Sequence, residues 1–526
     1  MTADTAFEVD APWWRGASLY EVYVRSFRDS DGDGEGDLPG LTEKLDYLAS
    51  LEVDGLWLTP IFPSPMHDSG YDVSDYRAID PRFGTFDDFT RLIEAAHARG
   101  LRVVLDQVFS HSSSDHPWFI ESASSRDNPK ADWYVWADAA PDGTAPNNWM
   151  GRFGGTAWEW SPTRRQYYLH NFLPQQPDLN LHNAEVQDEV LDIMRFWFDA
   201  GVDGLRLDVA NFFMHDPQLR SNPPASCTEI PANPYYLQEH VFDRSRPETL
   251  PLLSRMRHVA DMKGARMLLA EINCDHQVER MFEYTRPGRL HTAYSFELLQ
   301  GKLDGRHMAD CIAAAGQDGS WPTWAFSNHD VVRVASRWHA DGNAARVQLF
   351  QALLACLPGN IIAYQGEELG LPHSDVPRDR LQDPEAIRFW PRHRGRDGAR
   401  TPMPWTEEVP AFGFSDVDGW LPAEARHGRL SANTQDAEPT STLNHFRRVM
   451  GLRRIQPALR LGTFELLDAT SGSISFRRHH GGTSLTCAFN FGGDPMSLAV
   501  DGTILAGTAA VTVVGPNEYV IMKEDS

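Results

Sequence analysis

Eight short runs rich in Leu, Val, Ile and aromatic residues recur between residues 18 and 369, and helical patterns separate many of them. They are "SLYEVYVRSF" (18–27), "DGLWLTP" (54–60), "RVVLDQVF" (102–109), "DGLRLDVA" (203–210), "MLLAEIN" (267–273), "TAYSFEL" (292–298), "PTWAFSNHD" (322–330) and "IIAYQGEEL" (361–369). The patterns "FDDFTRLIEAAHARG" (86–100) and "AEVQDEVLDIMRFWFDAG" (184–201) each close on a glycine, a common helix stop. Strands alternating with helices demand a parallel sheet covered by those helices, and eight such units predict an α/β chain folded as a (β/α)8 barrel. An open doubly wound sheet is the rival, but it calls for a glycine-rich turn after the first strand, and no GxGxxG stands there.

Three connections exceed ordinary loops. Residues 109–178, rich in Trp, Tyr and Gly, are expected to form an inserted subdomain after the third strand. Residues 211–250 contain the Pro-rich "SNPPASCTEIPANPYY" and are expected to form a lid, and a third long connection spans 371–405. After a helix near 440–455 the pattern turns to short strands with Gly-rich turns, so 456–526 is expected to be an antiparallel β domain. The expected division is a barrel from 1–108 and 179–455, the insertion 109–178, and the C-terminal domain 456–526.

The fourth run, "GVDGLRLDVA" (201–210), poses a physical problem. In a strand Leu205, Leu207 and Val209 face one way, and Arg206 and Asp208 the other. Burying two charges costs several kcal/mol unless they are paired, solvated or used (roughly, by transfer arguments). Other runs also end in chemistry: Asp106 and His111 on the third, Glu271 on the fifth, His329 and Asp330 on the seventh. In a barrel these ends converge at one mouth. Four acids and two imidazoles meeting there would give Arg206 and Asp208 their partners.

Composition narrows the ligand. The formal charge of −25 argues against a nucleic-acid backbone or an anionic membrane, which need clustered Lys and Arg. Sixteen tryptophans, 14 tyrosines and 20 histidines could supply faces and imidazoles for sugar rings and hydroxyls, as well as a large core. Five scattered cysteines suit a reducing cytoplasm better than a disulfide framework, and no CxxC suggests zinc. The sequence begins without the basic start and apolar core of a signal peptide, and no run approaches a membrane span, so a cytoplasmic location is expected.

Taken together, "DQVFSH", "GLRLDVA", "LLAEIN" and "FSNHD" resemble the four conserved regions of the α-amylase superfamily of retaining glycoside hydrolases. "QPDLN" (176–180), "DSGYDVSDY" (68–76) and "RTPMPW" (400–405) resemble its α-glucosidase, oligo-1,6-glucosidase-like branch. The resemblance implies Asp208 as nucleophile, Glu271 as general acid/base, and Asp330 as the acid that binds hydroxyls and supports the transition state. Arg206 is expected to keep Asp208 ionised, and the apolar neighbours of Glu271 to raise its pKa. His111 and His329 match hydroxyl-binding imidazoles. The resemblance further implies that Asp68 and Arg400 pair at the blind end of a pocket, with Tyr71, Gln176 and Phe153 wrapping the terminal glucose. Val209, next to the nucleophile, accompanies α-1,6 preference in the family, but linkage stays open. So do the balance of hydrolysis against transglucosylation or isomerisation, an inactive binding barrel as the remote alternative, and the oligomeric state.

"DSDGDGEGD" (29–37) places Asp29, Asp31, Asp33, Glu35 and Asp37 at alternate positions, a spacing able to wrap a hard cation. It fails as an EF-hand, because Gly40 holds the twelfth position. It instead resembles a family loop that binds a structural Ca2+ or Mg2+ through these four aspartates and the Glu35 carbonyl. Ser110 stands where most amylases have a calcium-ligating Asn before the histidine, so no metal is expected there.

Overall fold

A computed structural model describes residues 11–227, 229–314, 319–498, 500–508 and 513–525. Its centre is a parallel barrel of eight strands: β1 (Ser18–Val22), β2 (Gly55–Leu58), β3 (Arg102–Gln107), β4 (Gly204–Leu207), β5 (Met267–Ile272), β6 (Thr292–Ser295), β7 (Thr323–Ala325) and β8 (Asn360–Tyr364). β1 pairs with both β2 and β8, and pairing then runs in sequence from β2 to β6 and from β7 to β8. The ring closes between β6 and β7 through one bridge, Ala293 with Pro322, and a 2.6 Å hydroxyl contact between Thr292 and Thr323.

Each strand is covered on both faces, which explains its nearly unbroken apolar character. Leu205 and Leu207 face the outer helices and join the large core there. The inner face carries Leu19, Trp57, Val104, Met267, Leu269, Tyr294 and Ile362 as a separate apolar filling. Two residues further along the same inner face the chemistry changes. Leu19 gives way to Glu21, Val104 to Asp106, and Leu269 to Glu271, all buried. The period of two thus stacks an apolar plug beneath a charged layer at the C-terminal mouth.

The outer helices hold this arrangement by ordinary means. Phe86–Ala98 begins with a Thr85–Asp88 capping box and buries Phe89, Leu92, Ile93 and Ala96, one helical stripe. Ala184–Asp199 is capped by Asn183, and Gly201 just beyond its end takes φ +101°, where a side chain would be strained.

Between β3 and the helix before β4 lie a helix (Pro117–Ser124) and a three-stranded antiparallel sheet of Trp136–Ala137, Trp158–Ser161 and Gln166–Leu169. The segment after β4 carries two short 3-10 turns, Ala210–Phe212 and Pro234–Leu237, and is stitched to that sheet region. Asn147 donates to the Leu219 carbonyl, Asn148 to that of Asn222, and Trp149 to that of Arg220. Past the helix Thr442–Ile455, five antiparallel strands form the C-terminal sheet in the order Thr463–Ala469, Ser473–His480, Thr483–Asn490, Glu518–Glu524 and Gly502–Gly507. No described helix is long and apolar enough to cross a membrane.

Candidate active site

Arg206 organises the mouth of the barrel. Its side chain is fully buried, and it donates to three carboxylates that the sequence scatters over three strand ends. Nη1 reaches Asp106 Oδ1 at 2.8 Å and Asp208 Oδ1 at 2.7 Å, while Nη2 meets Glu271 Oε2. Nη2 also donates to the Tyr294 hydroxyl at 2.8 Å, and the guanidinium lies 4.8 Å from the Trp57 ring centroid. Asp208 and Glu271 are therefore held by adjacent nitrogens of one planar group.

The raised Glu271 expected from its buried setting is found, although Arg206 touches it directly and opposes the rise. Arg206 pulls Asp208 down as expected but does not outweigh its burial. Burial pushes the Asp208 carboxyl well up, Arg206 pulls it down, and repulsion from Glu271 pushes it up again. Glu271 is likewise raised by burial against the pull of Arg206. Two repelling carboxyls beside one arginine favour holding a proton between them, and removing charge from either lowers the other.

The residue joining them is strained. Val209 takes φ +36°, ψ +50°, a left-handed conformation unusual for a β-branched side chain. Its N–H points at Glu271 Oε2, 3.4 Å away.

Around this pair lies a pocket with about 60 Å³ of solvent-accessible volume, lined by Asp208, Glu271, Asp330, Asp68, Tyr71, His111, Phe153 and Val209. Seven of the eleven expected catalytic and substrate residues thus meet in one cavity. Gln176, Arg206, His329 and Arg400 are buried behind it. Gln176 donates to Asp68 Oδ2 at 3.1 Å and sits 3.1 Å from His111 Nε2. His329 lies 2.8 Å from the Tyr71 hydroxyl through Nε2 and 2.5 Å from Glu21 through Nδ1, and its ring stacks on Tyr71. Its nitrogens are engaged by protein, so it braces Tyr71 and leaves the cavity to others. Burial lowers both imidazoles, His111 to about 4 and His329 to about 3, so both are neutral at pH 7.

The expected Asp68–Arg400 pair is corrected. Asp68 Oδ1 pairs instead with Arg396 Nη2 at 2.7 Å. Arg396 also pairs with Asp383 at 2.9 Å and Asp330 at 3.3 Å, and its guanidinium lies 5.0 Å from the Phe153 ring centroid. Arg400 sits one helical turn away and donates to Asp330 Oδ1 at 2.8 Å and the His329 carbonyl at 2.9 Å. "GRDGAR" (395–400) offers two arginines, and spacing alone does not say which reaches Asp68. Burial works to raise the Asp330 carboxyl, but Arg396 and Arg400 hold it far below the usual carboxylate range.

The pocket rim brings in residues that sequence reasoning missed. Arg152 from the insertion pairs with Glu385 at 2.8 Å, and Asn233 bridges both, donating to Glu385 at 3.0 Å and to the Arg152 carbonyl at 2.8 Å. Arg152, Asn273 and Gln300 are shared with a neighbouring groove of about 870 Å³ that includes Tyr235, Tyr236 and Arg244. No local pattern marks these residues, because five separate segments of the chain supply them.

The comparisons agree with this geometry. The family described as "Alpha amylase, catalytic domain" matches residues 21–462. The chain belongs to the α-amylase family. A "Probable alpha-glucosidase" of Rhizobium meliloti (strain 1021) is 48% identical over 504 residues, covering 93% of this chain and 91% of that protein. An "Oligo-1,6-glucosidase" of Heyndrickxia coagulans is 36% identical over 492 residues, 86% of this chain and 87% of its own. Among solved structures, the "alpha-glucosyl transfer enzyme, XgtA" superposes with a TM-score of 0.94 at 46% identity, covering 98% of this chain and 100% of that one.

Away from the pocket, this α-amylase family member gathers part of its acidic loop. Carboxylate oxygens of Asp29, Asp31 and Asp37 lie within 4.8 Å of one another. Asp29 also accepts from Gly32 and Gly34 N–H groups and from the Ser415 hydroxyl, and Asp37 caps the following helix through the Gly40 N–H. Asp33 stays outside the trio, accepting from the Glu35 N–H at 2.7 Å, while the Glu35 carboxylate pairs with Arg25 at 2.5 Å. Three oxygen donors brought together without an intervening cationic side chain fit a hard divalent ion, with the Glu35 side chain turned elsewhere.

Proposed function

We propose that the chain is a retaining α-glucosidase that removes α-glucose from the non-reducing end of short α-glucosides. The observation that carries this reading is the seating of Asp208 and Glu271 in one cavity, on adjacent nitrogens of Arg206, with the Asp68–Arg396 pair closing its far end. Retaining hydrolysis needs one ionised and one protonated carboxyl facing a single glycosidic bond, and this pair favours holding one proton between its members.

In the proposed reaction Glu271 gives its proton to the glycosidic oxygen as Asp208 bonds to the anomeric carbon. The aglycone leaves with that proton. Glu271, now ionised, takes a proton from an incoming water, whose oxygen displaces Asp208 and releases α-glucose. Asp330, kept ionised by its arginines, and Asp68 are placed to hold sugar hydroxyls, with Tyr71 and Phe153 against the ring. Asp208→Asn is expected to abolish turnover of p-nitrophenyl α-glucoside, and Glu271→Gln to retain substrate binding while losing turnover. Robust activity in either variant, or release of β-glucose by NMR, refutes the reading.

A second reading is favoured by the groove. At about 870 Å³ it is far larger than the pocket it adjoins, and Tyr235 and Tyr236 line it. Such a space can hold a sugar or another hydroxyl acceptor in place of water, which makes transglucosylation the runner-up; XgtA bears the name of a glucosyl transfer enzyme. We also propose that the Asp29–Asp31–Asp37 cluster holds Ca2+ or Mg2+ in a structural role, and that the enzyme works in the cytoplasm, where its free cysteines stay reduced.

A further inference from the structure

Glu297, His307 and Cys311 take no part in the chemistry above. Helix Glu297–Gln300 follows β6, and helix Gly305–Ala313 comes four residues later, capped by Asp304, which accepts from the Arg306 and His307 N–H groups. His307 and Cys311 are four apart on that second helix, so they share one face. His307 Nε2 lies 3.4 Å from Glu297 Oε2 and 3.8 Å from Cys311 Sγ, and the three donor atoms all fall within 4.8 Å of one another.

Those separations suit one coordination sphere. Zinc takes sulfur at about 2.3 Å and nitrogen or oxygen at about 2.0–2.2 Å, so the edges of its tetrahedron are about 3.3–3.6 Å. The two His307 edges, 3.4 and 3.8 Å, lie at that range or just beyond it, and the third, between Glu297 and Cys311, is no longer than 4.8 Å. Access is graded as well. Cys311 is buried, whereas the His307 and Glu297 side chains are 40% and 29% exposed, so an ion reaches the sulfur from solvent and keeps a fourth position open to water. The surroundings are negative, with the carboxylates of Glu297, Asp310 and Glu279 all close enough to act on Cys311.

We propose that Glu297, His307 and Cys311 form a site for one borderline-soft divalent ion of the zinc class. Binding makes a metal–sulfur bond and releases the thiol proton to solvent, so affinity rises with pH. The ion fastens helix Glu297–Gln300 to helix Gly305–Ala313. The first of these carries Gln300 and directly follows Phe296, and both residues line the catalytic pocket.

The test uses the full chain, stripped with EDTA and kept reduced, titrated with Zn2+ by calorimetry and with Co2+ by absorption. The expected result is one tight ion with a sulfur-to-cobalt charge-transfer band and the strong visible bands of tetrahedral cobalt. An outer partner of a metal site is already worth about 10–100-fold in affinity, so losing a direct ligand in Cys311→Ser or His307→Ala should weaken binding by at least about 100-fold. Cys227→Ser and Cys274→Ser should leave it unchanged. His307 is half-exposed, so His307→Ala keeps the test open if Cys311→Ser fails to fold by circular dichroism. Cobalt held only by the Asp29–Asp31–Asp37 loop would give weak oxygen-ligand bands and no sulfur band, which overturns the proposal. So does a sulfur band that survives Cys311→Ser or His307→Ala, or no Zn2+ binding at all.

Discussion

Replacing Arg396 tests how the blind end of the pocket is built. The side chain is 12% exposed and faces three acids: Asp68 at 2.7 Å, Asp383 at 2.9 Å and Asp330 at 3.3 Å. Asp383, with no side-chain exposure, is held down to about 2 by this arginine against the opposing effect of burial. Arg396→Met keeps the length and removes the charge. Breaking a buried pair from one side costs about 3–5 kcal/mol, because the remaining charge is left without compensation. Urea unfolding at pH 7 should therefore show a loss of that order, and Asp383→Asn added to Arg396→Met should recover part of it by removing the stranded carboxylate. Arg396→Lys keeps the charge but cannot serve Asp68 and Asp383 with one planar fork. If that costs one charge-assisted hydrogen bond of about 1.5–3 kcal/mol in the transition state, kcat/KM on p-nitrophenyl α-glucoside falls about 10- to 150-fold. The reasoning fails if Arg396→Met matches wild type in both assays, and an Arg400→Met variant carrying the whole loss would restore the pairing set aside above.

Three further outcomes are expected. His445 bridges Gln351 and Tyr519, and burial lowers it to about 3, whereas an unfolded histidine titrates near 6.5. Below pH 6.5 the unfolded chain thus binds a proton that the folded one refuses, and this group costs about 2 kcal/mol of stability by pH 5. His445→Gln should flatten the fall in unfolding free energy from pH 6.5 to 5 by that amount, and unchanged slopes would contradict the assignment. Adding Ca2+ to the EDTA-stripped, dialysed chain should raise the melting temperature, and Asp31→Asn should abolish that gain without altering kcat; a wild type whose melting temperature ignores Ca2+ removes the loop as a cation site. Tyr236→Ala, in the groove, should change the ratio of transfer products to free glucose at high maltose while sparing hydrolysis of p-nitrophenyl α-glucoside, and an unchanged ratio would place the acceptor elsewhere.

Local sequence carried much of this protein. The eight apolar runs, their helices and the strand-end acids follow from periodicity and from the cost of burying charge, which operate over a few residues. "GLRLDVA" announced that Arg206 and Asp208 share an inward face, and the structure adds that Asp106 and Glu271 complete the cluster. What the chain order could not decide was pairing between distant loops. Asp68 meets Arg396 and not Arg400 because the turn at 397–399 aims the first arginine across the pocket and buries the second against Asp330 and the His329 carbonyl. The acidity of Asp208 and Glu271 was equally hidden. It depends on depth, on each other and on one shared guanidinium, and Coulomb forces act through space between groups whose separation along the chain says nothing of their distance.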